Sequence, residues 1–388
     1  MPKLINLNVF KEFYDAGKLG GIILLVCVAI SLFIANTRYS ADFASFLTNV
    51  HFNIGSTAID LPIAAFINDG LMAIFFLLVG LEIKRELIEG ELSSVKQAAL
   101  PVIAALGGML VPAVIYFLFN SGSETSAGWG IPMATDIAFA LAIIAMVGKR
   151  IPASLKIFLA ALAIVDDLGA ILVIAIFYTS EVHFNYLLMA AGVFLLLCLL
   201  NYFKIKAIIA YLIPGVVLWY LIHHSGIHAT IAGVLVAFTI PTNDTDQLSP
   251  LEKLEHFLNV PVNYLIMPLF ALANTNITFQ KEMLTGLISP LGTGIILGLF
   301  AGKTIGVTAF SWLAVRCKFG ELPSEAGWKH IIGLGMLAGI GFTMSIFISM
   351  LSFGDETQIT EAKFAILCAS VISGILGFMF LRSTKIRT

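Results

Sequence analysis

Long apolar runs alternate with short polar clusters along the whole chain. Runs able to cross a hydrocarbon layer of ~30 Å fall near 19–36, 62–83, 98–119, 126–147, 152–178 and 186–203. Six more fall near 207–222, 226–241, 257–275, 284–315, 330–352 and 361–381. The pattern predicts an all-α polytopic membrane protein of about twelve transmembrane helices, forming one integral membrane domain over residues 1–388. The seventh and eighth runs are short. A re-entrant pair turning at His223–Gly226 is the alternative, and it keeps both termini on one side. Between the first two runs, residues 50–60 alternate apolar and polar around Ile54–Gly55–Ser56–Thr57, the pattern of a small β-hairpin. Its unpaired edges at a membrane surface suggest strand addition between two protomers, hence a homodimer.

Two of the runs carry helix breakers. In GWGIPMATDIAFAL (128–141), Pro132 removes a backbone donor and disfavours helix at Ile131, with Thr135 and Asp136 following within a turn. In IIGLGMLAGIGFTMSIF (331–347), glycines stand at Gly333, Gly335, Gly339 and Gly341. Broken backbone is tolerated in a bilayer only where it lines a cavity or is buried in protein. The two breaks fall in the middle members of two span triplets, approximately 98–178 and 284–381. The triplets start an odd number of spans apart, so they enter the membrane in opposite senses. That is the inverted-repeat plan with broken helices found in secondary transporters.

Composition narrows the class. Hydrophobic residues make up 59% of the 388 and charged ones only 12%, against about 25% charged in an average soluble domain. Mean hydropathy is +0.97. Too little charge is present to solvate a soluble shell, which excludes a soluble enzyme and a disordered regulator, and a net charge of -2 offers no footprint for nucleic acid. The basic residues fall on one set of connections, apart from Arg38, Lys281 and Lys363 opposite and Lys303 inside a span. Lys3, Lys84, Arg85, Lys149, Arg150, Lys204, Lys206, Lys253, Arg316, Lys385 and Arg387 are among that majority. By the positive-inside rule both termini are cytoplasmic. The first apolar run follows Lys3, Lys11 and Lys18 and reads as an uncleaved span rather than a signal segment. Cys27, Cys198, Cys317 and Cys368 have no paired spacing, so no disulfide or metal framework is implied.

The remaining chemistry lies in charges placed where they are expensive. Asp69, Asp136, Asp166, Asp167 and Lys303 all fall within spans, at roughly 2.5–3.5 kcal/mol each near a helix centre. Adjacent helical residues point ~100° apart, so Asp166 and Asp167 flank one cavity. Two mutually repelling carboxyls in a low dielectric suit the exchange of a proton for a hard cation bound by oxygen ligands. An intramembrane aspartyl hydrolase needs carboxylates converging from separate helices, and a prenyltransferase needs a third spaced acid absent from DDLGA. A passive cation channel differs from an exchanger only in whether flux is coupled. His223, His224 and His228 at a span end read as interfacial or capping side chains.

The segments NDGLMAIFFLLVGLEIKREL (68–87), PMATDIAFAL (132–141), LKIFLAALAIVDDLGAI (155–171), GIHATIAG (226–233), LEHFL (254–258) and GIGFTMSIF (339–347) resemble the NhaA family of bacterial Na+/H+ antiporters. The resemblance runs from about residue 19 to 380. It implies a twelve-span bacterial inner-membrane protein, not an enzyme and without a cofactor, that exports Na+ or Li+ in exchange for H+ and serves pH and sodium homeostasis. It implies an ion site at Asp166 and Asp167, and helices broken at Thr135–Asp136 and Gly339–Gly341 that cross at mid-membrane, where Asp136 and Lys303 would offset the partial charges of the half-helix ends. Lys303 would also pair with Asp166 when sodium is absent. A cytoplasmic pH-sensing region would comprise Glu82, Arg85, Glu86, Glu255 and His256, with His228 also affecting the response and activation at alkaline pH. Asp69 matches a functional acid of the second span, and residues 50–60 match the dimerising element. If two protonatable groups empty for each monovalent ion, exchange is electrogenic at two H+ per Na+. Whether Asp166 or Lys303 carries the second proton stays open. Asn259 stands where a second histidine is expected after LEH, which bears on the pH set-point and not on the transport chemistry.

Overall fold

A computed structural model describes residues 7–54, 59–148, 151–179, 182–242 and 248–384. Residues 55–58 of the expected hairpin turn lie outside these, as do Lys3, Lys149, Arg150, Lys385 and Arg387 from the charge pattern. The described residues form two compact units, one from Met1–Ile22, Gly90–Ala170 and Ile277–Thr388, the other from Ile23–Glu89 and Ile171–Asn276.

In the first unit, Val95–Asn120 packs on Pro290–Arg316. Their backbones meet at glycines: a Cβ on Gly107 would come 2.4 Å from the Gly306 carbonyl oxygen. Small residues allow such close approach where water gives no hydrophobic drive between helices. Two bent pairs follow the sequence breakers. The 3₁₀ segment Glu124–Met133 and helix Ile137–Val147 meet at 43°, and Trp328–Ala338 meets Phe342–Ser352 at 46°. Ala153–Phe177 supplies the aspartate helix through Ala170, and Glu356–Ser383 completes the unit.

The second unit holds the helix that ends at Ala35 and turns 112° into Ser40–Asn49, then Ile63–Ile88, Phe184–Tyr202, Ile209–Ser225, Ile231–Thr239 and Pro250–Asn274. Strands β1 (His51–Ile54) and β2 (Ile59–Pro62) pair antiparallel, His51 opposite Pro62 and Ile54 opposite Ile59. Ile231–Thr239 lies tightly on Ile63–Ile88, since a Cβ on Gly233 would come 2.1 Å from the Ala73 carbonyl oxygen.

Among the described residues seven helices are long and apolar enough to cross a membrane, or up to ten if each bent pair is one span. Ile209–Ser225 is a shorter apolar helix. The eighth apolar run is a helix of only 9 residues, Ile231–Thr239, about 14 Å long and too short by itself for a ~30 Å core.

Two helix starts precede the apolar runs for one reason: their first turns are polar. Ser249 and Glu252 form a capping box that starts a helix at Pro250 instead of 257. Asp355 caps the last helix at Glu356 instead of 361. A third start moves the other way: the run beginning near 284 opens in a separate short helix, Lys281–Gly286, and Ser289 then caps Gly292 to start the long helix at Pro290. Three π-turns, Phe66–Leu71, Val262–Ile266 and Gly298–Gly302, leave no mark in the hydrophobic pattern. One contains Asp69 and another immediately precedes Lys303.

Candidate ion-exchange site

In the first unit the two helix breaks bind each other through backbone groups that an unbroken helix would use internally. The Asp136 N–H donates to the Ile340 carbonyl at 2.6 Å. The Asp136 side chain caps its own helix by accepting from the Phe139 N–H at 3.0 Å. Its other oxygen accepts from the Thr343 N–H at 3.2 Å and from the Thr343 hydroxyl at 2.5 Å. One carboxylate therefore meets the first turns of both Ile137–Val147 and Phe342–Ser352, the positive ends of two half-helix dipoles. Ser345 donates to the Ile131 carbonyl at 2.7 Å, and the Ser370 hydroxyl accepts from the Phe342 N–H at 3.2 Å.

Glycine is required at the second break. A Cβ on Gly339 would lie 2.4 Å from the Leu299 carbonyl oxygen, and one on Gly341 would lie 2.1 Å from Ser345 Oγ.

Beside the breaks, Asp166 Oδ2 accepts from the Lys303 ammonium in a close ion pair and from the Thr135 hydroxyl at 2.7 Å. Thr135 also faces the Ala338 carbonyl at 2.9 Å, so one hydroxyl proton serves two acceptors. Lys303 and Asp166 are wholly buried and Asp167 is 2% exposed. Asp166 Oδ1 and Asp167 Oδ1 are buried with no hydrogen-bond partner. Buried carboxylate oxygens are expensive to leave unpaired, and such oxygens suit a hard cation or a proton. Among the described residues the Lys303 ammonium is paired to Asp166.

The other acids belong to the second unit. Asp69 is half-buried in its π-turn, and its backbone carbonyl accepts from Trp219 Nε1 at 3.1 Å. At the far end of the same helix, Arg85 Nε lies 3.1 and 3.0 Å from the two Glu255 oxygens, and Arg85 Nη1 lies 3.1 Å from Glu86. Glu82 is buried and His256 half-buried. Lys84 is the residue whose role the sequence did not disclose: its ammonium donates to the Phe238 and Ile240 carbonyls at 2.8 and 2.6 Å, at the negative end of Ile231–Thr239. His228 stands at the opposite end of that helix, 3.3 Å from the Thr230 hydroxyl. His223 stacks on Trp219 and His224 lies against Tyr220. Thr343 was also missed, although a hydroxyl one turn past a break is a readable signal.

The profile of the family described as Na+/H+ antiporter 1 matches residues 11–381. The chain is 60% identical over 385 residues to Na(+)/H(+) antiporter NhaA 2 of Flavobacterium johnsoniae, covering 99% of this chain and 94% of that one. It is 49% identical over 379 residues to Na(+)/H(+) antiporter NhaA of Yersinia pseudotuberculosis, covering 97% and 96%. Among solved structures it is similar in fold to the sodium proton antiporter MjNhaP1 from Methanocaldococcus jannaschii, with TM-score 0.53 at 12% identity over 97% of this chain and 98% of that one.

Proposed function

The chain belongs to the Na+/H+ antiporter 1 family, a family of secondary transporters and not of enzymes, and we propose that it exchanges Na+ for H+ at the Asp166–Asp167 pair. The observation that carries this reading is that both carboxylates hold a buried, unpartnered oxygen beside a lysine already paired to one of them. A partly dehydrated Na+ takes the place of bound protons at these oxygens, and the ammonium of Lys303 yields Asp166 to the cation. Thr135, with one hydroxyl proton for two acceptors, turns from Asp166 to Ala338 as the cation enters. Asp136 holds the two half-helix N-termini and ligates nothing. Lys303 balances Asp166 directly, and Gly339 and Gly341 keep the crossing open.

The finer reading is as follows. Two protonatable groups emptying for one monovalent ion give electrogenic exchange of two H+ per Na+, and Li+, a smaller hard cation, is carried too. The protein lies in a bacterial inner membrane with both termini cytoplasmic, which the skewed basic residues support. About twelve spans are arranged as inverted repeats near 98–178 and 284–381, a plan supported by the similar bends of 43° and 46°. Strands at 50–60 join two protomers, and Asp69 is a functional acid of the second span. Glu82, Arg85, Glu86, Glu255 and His256, with His228, set an alkaline threshold, with the Arg85–Glu255 pair tying Ile63–Ile88 to Pro250–Asn274. These roles serve sodium and pH homeostasis.

The test uses everted vesicles loaded with a pH-reporting dye, to which NaCl or LiCl is added from about pH 6.5 to about pH 8.5, the interval around which histidine titrates. Cation-driven proton movement that grows with pH is expected. Sodium flux without proton movement would identify a channel instead.

A further inference from the structure

Helix Pro290–Arg316 carries, beyond Lys303, a polar stripe that the exchange site does not use. Thr304, Thr308 and Ser311 recur at spacings of four and three residues, so they lie along one helix face. That face meets Trp328–Ala338: a Cβ on Gly335 would lie 3.1 Å from Thr304 Cα. On the far side of the helix Gly306 meets Gly107 of Val95–Asn120, and Val307, at the edge of the stripe, meets Gly108. The stripe is therefore enclosed in a helix–helix seam within the first unit.

Thr304 donates to the Phe300 carbonyl at 2.6 Å. Thr308 Oγ1 and Ser311 Oγ are buried and have no hydrogen-bond partner, and Ser311 is wholly inaccessible. A hydroxyl in a helix ordinarily satisfies itself on the carbonyl one turn back, and these two do not. Buried polar atoms without a protein partner are the usual seats of internal water. Along the axis, Thr304 to Thr308 is about 6 Å and Thr308 to Ser311 about 4.5 Å. Each gap is close to the reach of one water making two hydrogen bonds of roughly 2.8 Å. The inner end of the seam lies at Gly335, one turn before Ala338, whose carbonyl meets the Thr135 hydroxyl that is also on Asp166. The outer end lies about 7.5 Å short of Arg316, at the helix terminus.

We propose that this seam is a proton-only route between the Asp166 site and the Arg316 end of the helix, separate from the path taken by the cation. The proposal rests on the exchange reading above. A hydroxyl both donates and accepts, so hydroxyls and waters in alternation pass a proton by forming an O–H bond on the receiving oxygen and breaking one on the donor. One proton enters from the site, one leaves at the Ser311 end, and the hydroxyls are restored by rotation. A dehydrated cation needs several oxygens at once and finds only single hydroxyls here, so the seam discriminates against it.

The test uses the full chain in proteoliposomes, with Thr308→Val and Ser311→Ala together, which keep shape and remove both hydroxyls. The expected result is Na+-driven proton movement slowed by about tenfold or more, in line with the loss of a positioned proton-transfer group. Slowing in heavy water should exceed that of the wild type, Na+ binding to the purified protein should be unchanged, and Thr308→Ser should keep the wild-type rate. Unchanged exchange in both solvents would overturn the route and show hydroxyls satisfied on their own helix. Parallel loss of Na+ binding and exchange would overturn it in favour of a packing role. A wild type that moves no protons on addition of Na+ would instead overturn the exchange reading itself.

Discussion

Two charged clusters, one in each unit, treat their charges in opposite ways. Around Asp166 the ion pair is buried and two carboxylate oxygens remain without a partner. Around Arg85 the charges are consumed: both Glu255 oxygens lie on Arg85 Nε, and Lys84 sits on two helix-end carbonyls. Spare acceptor capacity is what an exchanging site needs, because an arriving ion must find something to bind. Saturated contacts are what a fastening needs, because nothing should compete with them. Burial of charge alone does not distinguish the two; the count of unmet oxygens does.

That contrast is open to direct attack. Asp167→Asn and Asp166→Asn should each abolish Na+-driven proton movement while membrane insertion persists, since an amide keeps the shape but neither ionises nor carries a proton. Wild-type exchange in either variant would remove the first cluster from the chemistry.

Asp136→Ala comes next. It strips partners from the Phe139 N–H and from the Thr343 N–H and hydroxyl, at roughly 1–3 kcal/mol for each buried donor left unsatisfied. A large fall in thermal stability in detergent and weaker apparent Na+ affinity are expected, with Asp136→Glu mild. Equal effects of the two would argue against an electrostatic role.

In the second cluster, Glu255→Gln should shift the pH midpoint of exchange while maximal rate survives. Loss of a pair worth about 1 kcal/mol moves a linked titration by roughly 0.7 of a pH unit. His256→Ala should move it less. Abolished exchange in Glu255→Gln would erase the contrast between the clusters. Smallest of all, Lys84→Met removes a cation from a helix C-terminus, about 0.3–1 kcal/mol, to be seen as a slight drop in melting temperature with exchange intact.

How much of this was readable beforehand depends on whether the cause is local. The breaks were readable because Pro132 and the glycines at 339 and 341 act on their own backbone. Asp166, Asp167 and Lys303 stood out because a bilayer makes any interior charge conspicuous. Helix starts at Pro250 and Glu356 were displaced because capping turns are polar and hydropathy begins counting after them. The acceptors of Lys84 were hidden for another reason: they are backbone carbonyls 154 and 156 residues away, and a carbonyl has no letter in a sequence. The π-turns at Asp69 and before Lys303 arise from tertiary fit and left no periodic trace.

The Asp136 carboxylate has a consequence for how the protein is made. Its own helix enters the membrane early, yet the Thr343 groups that complete its bonding lie 207 residues further along the chain. At a synthesis rate of about 5–20 residues per second, the ribosome needs roughly 10–40 s to supply them. Throughout that interval the nascent chain carries an acid in the membrane with part of its bonding undelivered, held by water, by the insertion machinery or by a provisional neighbour. The first broken helix is thus completed only when the second half of the chain arrives.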